Sequence, residues 1–199
     1  MASILKVDTI QDQSGNNIIN ESADTITIGA SGDTITIPSG ATLTVPSGGL
    51  SGQNYPAFEA EVGSTQTLTS GVDTLVPFDT EIFDTDSMYD NTAGNYKFTP
   101  TVAGKYFVYA RTFLNTIGTY TGQRFRVFIY KNGSLYANSS QQWNTDDCSE
   151  FTPTVSSVID MNGSTDFLQI YVHMSVSSGT PQLFQDTGRN AFGAYRIGD

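Results

Sequence analysis

Apolar and polar residues alternate in two different ways along this 199-residue chain. Between residues 24 and 45 three near-copies, DTITI (24–28), DTITI (33–37) and ATLTV (41–45), start nine and then eight residues apart. Each alternates aliphatic residues with Thr and ends in a Gly, Pro or Ser turn, the period of a half-buried strand. One face then carries Ile26, Ile28, Ile35, Ile37, Leu43 and Val45, and the other is Thr. Two aliphatic side chains per short strand cannot offset roughly 1–2 kcal/mol of backbone entropy lost per ordered residue. The pattern predicts an extended β-repeat stalk whose Ile face something else must cover.

From Pro56 onward the pattern changes to short strands at the spacing of an all-β sandwich, with no helical period. Strands are expected at 57–62, 74–79, 96–100, 104–114, 124–131, 134–143, 151–161, 166–176 and 190–198. Asn132-Gly133 sits where a two-residue hairpin turn needs positive φ, and Asn162-Gly163 is placed similarly in a longer turn. Two strands are apolar on both faces. In 166–176, Leu168, Ile170, Val172 and Met174 form an ordinary core face, yet Phe167, Gln169, Tyr171 and His173 oppose it. In 105–110, Tyr106, Val108 and Ala110 lie on one side and Phe107 and Tyr109 on the other. A sandwich has no third layer to cover an outer face, so the expectation is a subunit interface.

Composition divides the chain. The 12 Phe, 10 Tyr and single Trp all fall between Tyr55 and Tyr195, which places a head at 53–199 and a linker at 47–56. A net charge of −11, with only nine Lys and Arg, argues against nucleic acid as a partner. Cys148 stands alone, so no intrachain disulfide forms. No apolar run approaches the ~18 residues that span a bilayer, so no membrane insertion is expected, and residues 1–15 lack the pattern of a secretion signal.

The run from 77 to 110 resembles the globular heads of complement C1q-like proteins. Phe78, Tyr89, Asp90, Gly94, Tyr96, Phe98, Gly104, Tyr106 and Val108 occupy positions of that family's pattern. FRVFIYKNG (125–133) is similar to its strand ending in Lys-Asn-Gly, and Phe192, Gly193 and Tyr195 fit its closing strand. The resemblance covers about residues 57–199 and implies a jelly-roll β-sandwich of the C1q and tumour necrosis factor type that forms a homotrimer. Tyr106, Tyr109, Phe167, Tyr171, His173, Phe192 and Tyr195 are then expected at the trimer interface. The animal family's collagen stalk is missing, since no Gly-X-Y run exists. Residues 4–20 and the repeats after them resemble the leading segment of small tailed-bacteriophage fibres. That implies a virion-anchoring segment at 1–23 bound to other virion proteins, a trimeric β-repeat stalk and linker at 24–52, and location in the virion after assembly in host cytoplasm.

Chemistry is sparsely signalled. With one histidine, a Ser/His/Asp arrangement must use His173, whose place on the expected interface favours a hydrogen-bonding role. No cofactor is required, and a non-enzyme is expected. Two acidic runs offer oxygen ligands for calcium: Asp84, Asp86 and Asp90, and then Asp146 and Asp147. The pattern lacks the Gly and terminal Glu of an EF-hand, and solvated loop acids are the plainer reading. For recognition, Tyr120, Gln123, Gln142, Trp143 and Asn144 mix aromatics with amides as a sugar-reading surface does, although Trp143 equally fills a core at a strand end. Three functions stay open: a phage fibre or spike whose head binds a host-surface glycan or protein, a capsid head fibre or decoration protein, and a non-viral bacterial adhesin.

Overall fold

The computed structural model describes residues 9–11, 13–15, 17–22, 25–28, 32–43, 56–117, 121–143 and 148–198. The chain divides into two compact units, Met1–Gln53 and Asn54–Asp199.

The first unit contains a three-stranded antiparallel meander, β1 (Thr9–Gln11), β2 (Asn17–Ser22) and β3 (Thr25–Ile28). Directly opposed residues share a face, so the register Ile10↔Ile19↔Ile28 lines three isoleucines across one side, with Ile26 beside Glu21. Among the described residues of the repeats only Thr25–Ile28 is a strand. Residues 33–38 carry no strand pairing, which corrects the expectation of three like strands: a strand exists only where a neighbour takes its backbone groups, and the partner of the first repeat is β2. β2 itself comes from the segment expected to be a separate anchor. Ile26, Ile28, Ile35, Ile37 and Leu43 are all exposed, Ile26 to 68%. Val45 lies outside the described residues.

The second unit is an all-β jelly-roll sandwich. Its strands are β4 (Ala57–Glu61), β5 (Gln66–Thr67), β6 (Thr74–Leu75), β7 (Thr80–Asp84), β8 (Tyr89–Asp90), β9 (Lys97–Phe98), β10 (Gly104–Arg111), β11 (Leu114–Thr116) and β12 (Gly122–Lys131). The chain continues with β13 (Ser134–Gln142), β14 (Glu150–Phe151), β15 (Thr154–Met161), β16 (Leu168–Val176), β17 (Pro181–Leu183) and β18 (Ala191–Gly198). One sheet runs β15-β10-β18-β4-β7, and the facing sheet runs β13-β12-β16-β9-β8 with β6 also on β16. A short sheet, β14-β11-β17-β5, adds Leu114 and Leu183 to the same core.

Alternation decides what is inside. β10 buries Tyr106, Val108 and Ala110, while β16 buries Leu168, Ile170, Val172 and Met174. At the centre Phe58 stacks on Tyr89 and Phe98 at 4.7 and 4.5 Å and meets Phe192 edge-on at 4.8 Å. Each such ring pair adds about 0.5–1.5 kcal/mol beyond its buried area. Tyr106 and Phe192, expected at a subunit interface, are fully buried core residues instead. Tyr106 satisfies its phenol internally by donating to the Val102 carbonyl at 2.8 Å, and the Phe192 ring is enclosed by Phe58, Phe78 and Tyr89.

The expected hairpin forms as its turn residues require. Asn132 and Gly133 have φ of 52° and 76°, and Lys131 pairs Ser134. The longer 162–166 turn is organised by Asn162, whose Oδ1 accepts the amides of Ser164, Thr165 and Asp166.

Candidate functional site

The polar site forms where β12, β13 and β16 run side by side. Along β12 the core takes Phe125, Val127 and Ile129, so Arg124, Arg126, Phe128 and Tyr130 lie on the opposite face, where Phe128 is itself buried at 2% exposure. Register sets their neighbours: Arg124 lies between Gln142 and Ser175, and Arg126 between Ser140 and His173. Arg124 Nη2 donates to Gln142 Oε1 at 2.8 Å. Gln123, Arg124, Gln142 and Ser175 line a cavity of about 180 Å3. The Trp143 amide donates to the Gln123 carbonyl at 2.8 Å, extending the ladder past β13.

Of the residues expected to read a ligand, Gln123 and Gln142 thus meet at one cavity. Trp143 turns away from it. Its indole packs edge-on against Phe125 and Phe151, each at 5.2 Å, and so fills the end of the core. Tyr120 and Asn144 lie outside the described residues. Arg124, Arg126 and Ser175 were not anticipated. Their signal was the alternation R-F-R-V-F within a strand, which forces both guanidiniums onto the outward face.

Beside the cavity His173 is 9% exposed and held at both ring nitrogens. Nδ1 lies 2.8 Å from Asp73 Oδ1 and Nε2 lies 3.0 Å from Ser175 Oγ. Tyr130 donates its phenol to Asp73 Oδ2 at 3.3 Å, and burial pushes that phenol upward from its ordinary pKa, the Asp73 carboxylate adding to it. The atoms match an Asp-His-Ser relay, but acyl transfer also needs donors aimed at the developing oxyanion. The amide following Ser175 is committed, since Val176 N donates to Ser70 Oγ at 3.1 Å. Arg126 places its guanidinium 4.8 Å from the Phe128 ring, and its buried Nε meets no acceptor among the described residues.

A second feature occupies the opposite side of the sandwich. On the outward face of the five-stranded sheet, Val158, Phe107, Tyr195 and Ala57 form one cross-strand row. Ser156, Tyr109, Gly193, Glu59 and Phe83 form the next. The Tyr109 ring lies over Gly193, where a Cβ would approach it to 2.4 Å, and its phenol donates to Glu59. Burial, with Glu59 adding to it, pushes this phenol well above its ordinary pKa, so it stays a donor. Val158, Tyr195 and Phe83 are nonetheless about half exposed. Tyr109 and Tyr195 therefore share one outward face, whereas Phe167, Tyr171 and His173 lie on the other sheet's outward face. The Tyr171 ring lies there at a tilt against Tyr130, 4.5 Å between centroids, and Lys97 sits over Phe167.

The first acidic run is occupied by its own turn. Asp84 accepts the amides of Tyr89 and Asp86, and Asp90 accepts from Thr92 and Asn95. These bonds, the Thr92 hydroxyl foremost, hold the Asp90 carboxyl below its ordinary pKa. Among the described residues no group of three or more His, Cys, Asp and Glu could hold a metal ion. Asp146 and Asp147 lie outside the described residues. Burial pushes the Cys148 thiol up, away from the reactive thiolate.

No protein-family model matches the chain, and no curated protein sequence matches it. Solved structures do. The Eiger TNF of S. frugiperda overlays with a TM-score of 0.51 at 10% identity, over 73% of this chain and 92% of its own. Murine APRIL overlays with 0.54 at 7% identity, over 72% of this chain and all of its own. The head has the jelly-roll fold of the tumour necrosis factor type. The globular domain of zebrafish complement 1qA protein also overlays, at 14% identity with a TM-score of 0.49, too low to carry an argument. At such identities the TNF-type likeness speaks for the fold alone.

Proposed function

We propose that the chain is a homotrimeric fibre or spike of a tailed bacteriophage, joined to other virion proteins through residues 1–23, whose head binds a host-surface glycan or protein. The observation that carries the oligomer is the uncovered apolar face of the five-stranded sheet, built from Phe107, Val158, Tyr195 and Phe83. A contiguous apolar face of this kind marks an interaction surface, and copies arranged around a three-fold axis cover it by contacts between unlike surfaces. The stalk supports the same reading, because Ile26, Ile28, Ile35, Ile37 and Leu43 stay exposed in a single chain. Copies placed side by side bury them against one another. Receptor binding is supported by the polar cavity at Gln123 and Gln142 on the opposite sheet, and the commitment of the Val176 amide favours binding over catalysis.

Native mass spectrometry of the full chain tests the oligomer: three copies of the 21.5 kDa chain are expected, and a monomer overturns it. Antibody labelling of phage particles tests the location. Labelled full-length protein should bind saturably to the strains its phage infects and not to others. A verified trimer that binds none of them overturns the receptor role and leaves a capsid appendage.

A further inference from the structure

The outward face of β12, β13 and β16 is a grid of hydrogen-bond donors. Its first row is Gln142, Arg124, Ser175, and its second is Ser140, Arg126, His173. The third row, Asn138, Phe128, Tyr171, turns aromatic, with Phe128 buried and Tyr130 tilted against Tyr171. Successive outward residues on one strand are about 7 Å apart, so the two guanidiniums stand within reach of one sugar-sized ligand. Among the described residues neither arginine makes a salt bridge, whereas Lys131 pairs with Asp166 and Arg189 with Glu150 and Asp186. Among the described residues the carboxylate that meets the grid is Asp73, and it is already engaged by His173 and Tyr130. Arg126 Nε is buried and meets no acceptor among the described residues, a costly state for a charged donor that an incoming oxyanion would relieve.

We propose that this grid binds a carboxylate-bearing sugar, with the carboxylate on the Arg124–Arg126 pair. The planar guanidinium fork matches a planar carboxylate. The amides and hydroxyls of Gln142, Ser140, Ser175 and Asn138 meet the ring hydroxyls, and Tyr171 and Tyr130 supply the apolar edge a pyranose packs against. The cavity of about 180 Å3 lies at the Arg124 end of the grid, lined by Gln123, Arg124, Gln142 and Ser175. It is below the ~300 Å3 at which drug-sized pockets begin and suits one end of a single ring, the rest lying over Arg126 and the tyrosines. The site is local: a chain of net charge −11 has no general attraction for anions. The inference rests on reading the head as a receptor-binding module, and it names the class of receptor.

The test is titration of the purified full-length protein with methyl glucuronide, followed by NMR or calorimetry, beside methyl glucoside and glucose 6-sulfate. Methyl glucuronide should bind at least tenfold more tightly than the neutral glucoside. Arg124→Gln and Arg126→Gln should each weaken it at least tenfold, and Arg126→Lys, which keeps charge but loses the fork, by several-fold. Lys105→Gln, on the other sheet, should leave it unchanged. Native mass and circular dichroism of each variant show that it is folded. Equal binding of neutral and acidic sugars, or retained affinity in the Arg124→Gln/Arg126→Gln double variant, overturns the proposal. Tighter binding of the sulfate overturns the carboxylate assignment. Cell binding without sugar binding sinks this inference and spares the receptor role, while sugar binding without cell binding does the reverse.

Discussion

The N-terminal unit and the jelly-roll unit are written in the same alternating code, yet they treat their isoleucines in opposite ways. Ile26 on β3 is 68% exposed, whereas Ile170 on β16 is 1% exposed. Each belongs to an apolar face of a paired antiparallel strand. The difference is the second layer. β16 faces another sheet across the core, while among the described residues of its own unit the meander β1–β3 meets no second sheet. Alternation specifies which face is apolar, and only a facing surface turns that into stability.

The comparison can be broken from the head side first. Phe58→Ala removes the ring that contacts Tyr89, Phe98 and Phe192 and should cost about 3–5 kcal/mol in chemical denaturation. Ile26→Ala should leave the head's transition where it is. Next in size is Ile19→Asp, set in the centre of the Ile10–Ile19–Ile28 row. In an assembled stalk each buried isoleucine contributes about 1.5–3 kcal/mol, so limited proteolysis should cut residues 1–53 faster with no change in the head's melting. An unchanged cleavage rate would mean that the isoleucines are uncovered in the assembly too. Gly193→Ala drives a Cβ into the Tyr109 ring, an overpacking expected to cost about 1–3 kcal/mol and read as a lower Tm. Gly133→Ala, at φ 76° in the hairpin, should cost on the order of 1 kcal/mol.

The smallest effect is the acid limb of stability. Hydrogen bonds from Thr92 and Asn95 depress the folded pKa of Asp90, and those from Asn132 and Lys131 depress that of Asp166. A depressed carboxyl contributes stability that is present above its unfolded pKa, near 3.8, and fades as pH falls through the lower folded value. Asp90→Asn should therefore flatten the loss of stability below about pH 4 while changing little at pH 7 beyond a constant offset. Denaturation curves from pH 6 to 2 measure the slope.

The same contrast explains what could be read from the sequence. Long alternating runs were legible: the inward face of β16 was assigned from the pattern, and Asn132-Gly133 gave the hairpin its turn, whereas β10 read as apolar on both sides and left its inward face undecided. The two-residue strands β5, β8 and β14 were not, because a period of two needs at least four residues to register. β7 was missed as well, with both Ile82 and Phe83 exposed so that no face stands out. Parity misled at Tyr106 and Phe192. Tyr106 and Tyr109 are three apart on a strand, as are Phe192 and Tyr195, so the members of each pair must point to opposite faces and cannot share an interface. The polar grid was hardest to foresee, because it assembles across strands: Arg124 meets Ser175 through a pairing that spans 51 positions, 175 minus 124.

Trp143 is the chain's single tryptophan, and its packing has an optical consequence. The indole is wedged between Phe125 and Phe151, while its own amide is bonded to Gln123 at the rim of the cavity. Emission excited at the red edge of the absorption band comes from this one fluorophore. It reports on the spot where the β12–β13 ladder ends, so a ligand that shifts Gln123 or Gln142 changes that light without any label being attached.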